Sequence, residues 1–216
     1  VKEARHQVAA GKIGKIRKIY VEYHQGWLTN FIAGTNKQAS WRTDPARSGA
    51  GGSIGDIGTH AANLAEYISG LSITEVNADL NIVVKGRKLD DDSALLLRFN
   101  NGATGILSAT QIAAGEENNL NIRVYGELGG IEWHQKEPNT LLVKWLDQPM
   151  QVYRAANGYL CDAAKSAGRT PPAHPEGYLE AFANIYKNFA NAPIYTPCLI
   201  QQIPADVTAC ANLGQS

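Results

Sequence analysis

From residue 74 to residue 155 the sequence repeats one pattern: short apolar, β-branched or aromatic runs divided by turn signals. The run "TEVNADLNIVV" sets Val76, Ala78, Leu80, Ile82 and Val84 against Glu75, Asn77, Asp79 and Asn81. That period of two predicts a half-buried strand with one wet face. The runs "SALLLRF", "TGILSATQI", "LNIRVYGE", "GIEWHQ", "TLLVKWL" and "QVYRA" follow at short intervals, separated by signals such as Asn101-Gly102, Gly129-Gly130 and Pro138-Asn139. An earlier run, "IRKIYVEYHQ", has the same enrichment, with Ile16 and Val21 as anchors. The pattern predicts a mostly antiparallel sheet of about seven or more strands.

Helical periodicity flanks these runs. Ile54, Ile57, Ala61, Leu64, Ala65 and Ile68 recur at three- and four-residue steps, with Ser53 placed to cap the first turn and Gly70 to end the helix. "PEGYLEAFANIYKNFAN" puts Tyr178, Ala181, Phe182, Ile185 and Phe189 on one stripe, so helices should cover one face of the sheet. In "VKEARHQVAAGKIGK", Val1, Ala4 and Val8 share a helical face that stops at Gly11 and Gly14, and the helix should start upstream. Residues 26–52, rich in Gly, Asn and Ser, read as one long loop, a length that is often functional. The class is α+β, a large mixed sheet with helices on one face, in a single domain spanning 1–216.

Composition removes several functions. Twenty Lys and Arg balance twenty Asp and Glu, with no basic run, so neither nucleic acid nor an anionic membrane is an expected partner. Cys161, Cys198 and Cys210 are widely spaced and form no C-x-x-C pair, as idle thiols in a reducing compartment would be. The charged N-terminal stretch lacks a signal peptide's apolar core, and no apolar run is long enough to span a bilayer, which predicts a cytoplasmic location.

The helix after Ser53 carries a second stripe, Asp56, His60, Asn63 and Tyr67. An aspartate and a histidine one turn apart can orient each other or meet one substrate, and the imidazole can take and return a proton near neutral pH. Gly52, Gly55 and Gly58 leave room beside them. Two structural alternatives stand: Ser53 and Asp56 as a capping box with Asp in place of Glu, and His60 as a satisfied core histidine. Asp56 and His60 could also be two metal ligands, with His24, His134 or His174 as a third, but nothing local fixes that third ligand, and no metal is expected. No G-x-S-x-G elbow supports serine chemistry.

Three segments, "GKIGKIRKIYVEYHQGW", "ASWRTDPARSGAGGSIGDIGTHAANLAEYISG" and "HPEGYLEAFANIYKNFAN", together resemble the C-terminal domain of the glucose-fructose oxidoreductase, inositol dehydrogenase and MocA family of NAD(P)-dependent sugar and polyol dehydrogenases. The likeness runs in order through residues 1–192. It implies an open, dihydrodipicolinate-reductase-like sandwich that supplies the substrate pocket and a homo-oligomer interface through the sheet face. It also implies that His60 exchanges a proton with the substrate's hydroxyl or carbonyl, with Asp56 orienting it, while a hydride moves to or from NAD or NADP.

No G-x-G-x-x-G follows a strand, and the family's Glu-Lys-Pro motif is absent. The N-terminal Rossmann cofactor domain is therefore missing from this segment, which should bind no cofactor and have no dehydrogenase activity alone. In the long loop, Trp41, Arg42 and Asp44 could contact a sugar or the nicotinamide, or Arg42 and Asp44 could form a surface pair with Trp41 as an anchor. His174 stands where similar proteins contact substrate, whereas Trp27 and Tyr178 read as core. The tail from residue 193, "PIYTPCLIQQIPADVTACANLGQS", departs from the family pattern. Two functions fit: the substrate-binding and oligomerisation domain of a sugar or polyol dehydrogenase, or a non-enzymatic carbohydrate-binding or dimerisation module.

Overall fold

A computed structural model of the chain describes residues 1–192, and the atypical tail lies outside them. Residues 1–177 form one compact unit, and a second begins at Tyr178. The first unit is built on eight strands: β1 (Ile16–His24), β2 (Ile73–Asn81), β3 (Asp92–Phe99), β4 (Thr104–Thr110), β5 (Asn119–Gly126), β6 (Gly129–His134), β7 (Thr140–Trp145) and β8 (Gln151–Arg154). They make one sheet in the order β2-β3-β4-β1-β5-β6-β7-β8. The β1–β4 pair is parallel and every other pair antiparallel, so the first strand in sequence occupies the middle of the sheet.

Register explains the core. Ile19, Val21 and Tyr23 of β1 lie level with Gly105, Leu107 and Ala109 of β4 and with Val124, Ile122 and Leu120 of β5. These side chains point to one face, and all are buried there. Helix α4 (Thr59–Ser69) covers that face with Ala61, Leu64, Ala65 and Ile68, and α1 (Lys2–Ala9) packs on α4. Ala61 and Ala65, both at 0% exposure, let the helix backbone approach the strands closely. Gly70 ends α4 in the left-handed region, at φ 70°, as its position in the sequence suggested.

Three expectations need correction. Residues 26–52 are not structureless: α2 (Lys37–Arg42) and α3 (Pro45–Ser48) form within them, and the Asn36 side chain accepts the amides of Gln38 and Ala39. The alternating strand ends at Asn81, because Asp91 takes the Val83 and Val84 amides at 2.8 and 2.9 Å and turns the chain away. Nor is β2 half-buried, since Val76 and Leu80 are 54% and 50% exposed. They point to the same face as Leu97 and Ser93, but α4 lies over β4, β1 and β5, and β3 separates that block from the β2 edge.

The face of α1 also differs from the reading of Val1, Ala4 and Val8. Val1 is exposed, and the buried positions are Glu3, Ala4 and Gln7. Glu3 Oε1 accepts Gln7 Nε2 at 2.6 Å, and Oε2 accepts the Cys161 amide at 2.8 Å, tying the helix to the start of α5 (Asp162–Lys165). Burial pushes the Glu3 carboxyl up, but the Cys161 amide and Gln7 hold it below its usual value. A depressed acid contributes stability above its unfolded pKa and loses it as pH falls through the folded value. Glu3→Gln is accordingly expected to melt earlier than the parent at pH 7, by about 1–2 kcal/mol, with the gap closing below about pH 4 in melts run across pH.

The second unit contains α6 (Tyr178–Asn191), on which Tyr178, Phe182, Ile185 and Phe189 form the expected stripe. Tyr178 is 75% exposed and is not a core residue. No helix among the described residues is long and apolar enough to cross a membrane.

Candidate active site

Because β1 and β4 run in parallel, their carboxyl ends coincide and place Gln25 and Gln111 side by side. Over those ends lies a π-helical turn, Ile54–Gly58, that leads into α4 and carries Asp56. Single π turns recur at functional sites because the wider turn re-aims side chains. Asp90 anchors this one. Its carboxylate accepts the Gly52 amide at 2.6 Å, the Ile54 amide at 2.8 Å and the Ser53 hydroxyl at 2.8 Å. A Cβ at Gly52 would collide with the Asp90 carbonyl oxygen, so the close approach requires glycine there.

This anchor removes the capping-box reading of Asp56. Ser53 makes no side-chain cap bond, since its hydroxyl is turned to Asp90, so there is no capping box. The Asp56 carboxylate instead accepts Gln111 Nε2 at 2.8 Å and faces Arg42 Nε at 3.3 Å, while 32% of the side chain stays exposed. The glycine-rich stretch is equally unavailable as a phosphate cradle, because two of its amides already belong to Asp90.

His60 stands one turn further on and is exposed, with its ring edge-on to Tyr23 at 6.2 Å between centroids. It is not a buried core histidine. Neither ring nitrogen is hydrogen-bonded among the described residues, and Asp56 and His60 share no hydrogen bond: Asp56 is held by Gln111 and Arg42, and His60 rests only on the Tyr23 ring.

Arg42 and Trp41 reach the site. The guanidinium stacks 4.3 Å from the Trp41 ring centroid, lies 6.0 Å from that of Trp27, and bonds Gln38 as well as Asp56. Trp27, expected in the core, is half-buried beside Arg42, with Nε1 donating to Gln25 at 2.9 Å. Asp44 points elsewhere: its carboxylate caps α3 by accepting the Ala46 amide at 3.1 Å, and it forms no pair with Arg42.

His174 is exposed in a loop held by Glu176, and Asn139 ties that loop to the β6–β7 turn. The turn lies at the same end of the sheet as Gln111, but β6 is three strand positions from β4, about 14 Å away. The proposed third metal ligands are engaged separately: His24 with Ser108 at 3.0 Å, and His134 with Asn121 and Glu132. Among the described residues no three His, Cys, Asp or Glu side chains gather to hold a metal ion.

Residues 1–132 match the family model for the GFO/IDH/MocA C-terminal domain. The chain belongs to this family. An uncharacterized oxidoreductase of Bacillus subtilis, YfiI, is 32% identical over 193 residues, 88% of this chain and 49% of that protein. The levoglucosan dehydrogenase of Pseudarthrobacter phenanthrenivorans is 28% identical over 197 residues, 81% of this chain and 46% of the enzyme. The GFO/IDH/MocA domain thus spans about half the length of the curated relatives it matches. Among solved structures, an inositol dehydrogenase homolog from Azotobacter vinelandii in complex with NAD+ superposes with a TM-score of 0.85 at 32% identity, covering 88% of this chain and 49% of that one. An oxidoreductase from Sinorhizobium meliloti superposes with a TM-score of 0.77 at 42% identity over the same shares.

Proposed function

We propose that this GFO/IDH/MocA domain is the substrate-binding and oligomerisation half of an NAD(P)-dependent sugar or polyol dehydrogenase, working when joined to a cofactor-binding domain. The observation that carries the reading is the Asp56 carboxylate, clamped by Gln111 and Arg42 and left partly open beside the exposed His60. Structural neighbours add support: the Azotobacter protein is known in complex with NADH and myo-inositol, and levoglucosan dehydrogenase with NADH and levoglucosan.

His60 takes the proton of the substrate hydroxyl during oxidation and returns it during reduction, a role for which a solvent-open imidazole with unoccupied nitrogens is suited. Asp56 accepts a hydrogen bond from a neighbouring substrate hydroxyl and so orients the ring of the sugar against His60. Near Asp56, Trp27, Trp41 and the stacked Arg42 offer apolar ring faces and a guanidinium, surfaces that suit a polyhydroxyl ring. A nicotinamide held by the partner domain supplies the hydride acceptor or donor. Turnover of a sugar or polyol with NAD(P) by the joined protein tests the reading, and no turnover across a panel of cyclic polyols and anhydrosugars would remove it.

Association uses the sheet face opposite α4. There Tyr20 and Tyr125 meet edge to face at 6.2 Å, Lys18 and Arg123 lie over the Tyr20 ring, and Leu96 is 60% exposed. Aromatic and arginine enrichment marks interface cores. Eight strands about 4.8 Å apart and about 20 Å long give roughly 750 Å² per partner, the standard size. Sedimentation should therefore find a dimer or larger assembly that Tyr20→Asp dissociates; a monomer at every concentration would oppose this.

A further inference from the structure

Asp56 and His60 share no hydrogen bond, yet a line of side chains connects one to the ring beside the other. Gln111 Nε2 donates to Asp56 Oδ2 at 2.8 Å and lies 3.5 Å from Gln25 Oε1, which also accepts Trp27 Nε1. Gln25 Nε2 donates to Asn118 Oδ1 at 2.8 Å, and the Tyr23 hydroxyl donates to the same oxygen at 2.6 Å. Tyr23 is the edge-on neighbour of His60. The frame therefore starts at the carboxylate and ends against the imidazole.

Gln111 is its fixed point. The residue is 3% exposed, its amide donates to the Asp91 carbonyl at 2.9 Å, and its carbonyl accepts the Leu28 amide at 3.1 Å. The other partner of Asp56, Arg42, is 28% exposed and rests on the Gln38 side chain at the surface. A buried amide with both main-chain groups bonded holds position better than a long, partly solvated guanidinium. The orientation of the amide follows from chemistry, since an ionised carboxylate only accepts and so must face Nε2.

Resting on the dehydrogenase reading above, we propose that Gln111 is the positioning residue that fixes Asp56 relative to His60, through the frame of Gln25, Asn118 and Tyr23. It touches no reacting atom and acts through the carboxylate. Loss of the bond lets Asp56 follow Arg42 and widens the spread of geometries offered to the substrate.

A double-mutant cycle in the joined dehydrogenase tests this. Gln111→Leu is expected to lower kcat about tenfold to hundredfold, the scale of a hydrogen bond to a charged group, with the cofactor KM unchanged. In an Asp56→Ala background the same substitution should change kcat by less than about twofold, because the group it positions is gone. Gln111→Met, which fills nearly the same space but has no donor, should show the same pattern and serves if the leucine variant does not fold. If Asp56→Ala is damaging and Gln111→Leu multiplies that damage, Gln111 is merely structural and the positioning role is overturned alone. If Asp56→Ala leaves kcat intact, the catalytic reading of the pair falls, and the positioning role with it.

Discussion

On the proposed reading, His60→Ala in this domain joined to a cofactor-binding domain is expected to lower turnover by about a hundredfold or more, the scale of a lost general base, while the melting temperature moves by no more than a degree or two. The two halves of that expectation have separate origins. The kinetic half follows from the open position of the imidazole beside Asp56. The thermal half follows from exposure: no hydrogen bond is broken, no buried hole is left, and the lost contact is one edge-on ring against Tyr23. Substitutions at such surface positions usually change stability by less than about 0.5 kcal/mol, and in a protein of this size 1 kcal/mol is about 2–4 °C. Turnover and melting measured on the same preparation separate chemistry from structure. A variant that melts early yet works normally per folded molecule would return His60 to a structural role.

The strands were legible because their signal is local. A side-chain period of two and a Gly or Asn turn every few residues mark β3 to β8 without reference to anything distant. Burial was not local. Val76 and Leu80 have the alternation of a half-buried strand, but their cover depends on how far α4 extends across the sheet, which no window of sequence encodes. The helices in the loop before Asp56 escape a sequence reading for a related reason: α2 and α3 are too short for periodicity, and their signature is a capping Asn36 and an Asp44-Pro45 step.

The site divides the same way. Asp56, His60, Trp41 and Arg42 stand close in sequence and could be grouped from spacing and chemistry. Gln111 and Asp90 could not, since they reach Asp56 and Ser53 across 55 and 37 residues. Both sit at the ends of sheet elements whose neighbours are set by strand order, above all by the insertion of β1 between β4 and β5. Asp44 is engaged locally instead: a carboxylate before Pro45 caps α3 by accepting the Ala46 amide. A run of three aspartates, Asp90 to Asp92, was the one visible hint that something beyond solvation was placed there.

Asp90 therefore carries the largest stability prediction. Its carboxylate, 9% exposed, accepts two main-chain amides and the Ser53 hydroxyl at the start of the π turn, a helix cap delivered from 36 residues away. Asp90→Ala leaves the Gly52 and Ile54 amides without that acceptor in a buried place and the Ser53 hydroxyl with only the Ala109 carbonyl, at 3.3 Å. Helix caps alone contribute about 1 kcal/mol, and hydrogen bonds to a charged group about 1.5–3 kcal/mol each before water replaces any of them, so a loss of about 3 kcal/mol is expected. That corresponds to a fall in melting temperature of about 6–12 °C. Asp90→Asn should recover little, because its NH2 group must face one of the two amide donors. Ser53→Ala should cost only about 1 kcal/mol, since it removes one donor and leaves the carboxylate bound to the main chain. Urea unfolding of the three variants measures the order. Activity should follow a different course from stability, because loosening Gly52 to Ile54 displaces Asp56 even in molecules that remain folded: turnover per folded Asp90→Ala molecule should fall about tenfold or more. A loss of under 1 kcal/mol in urea, or full turnover in the folded fraction, would show that the π turn holds its place without Asp90.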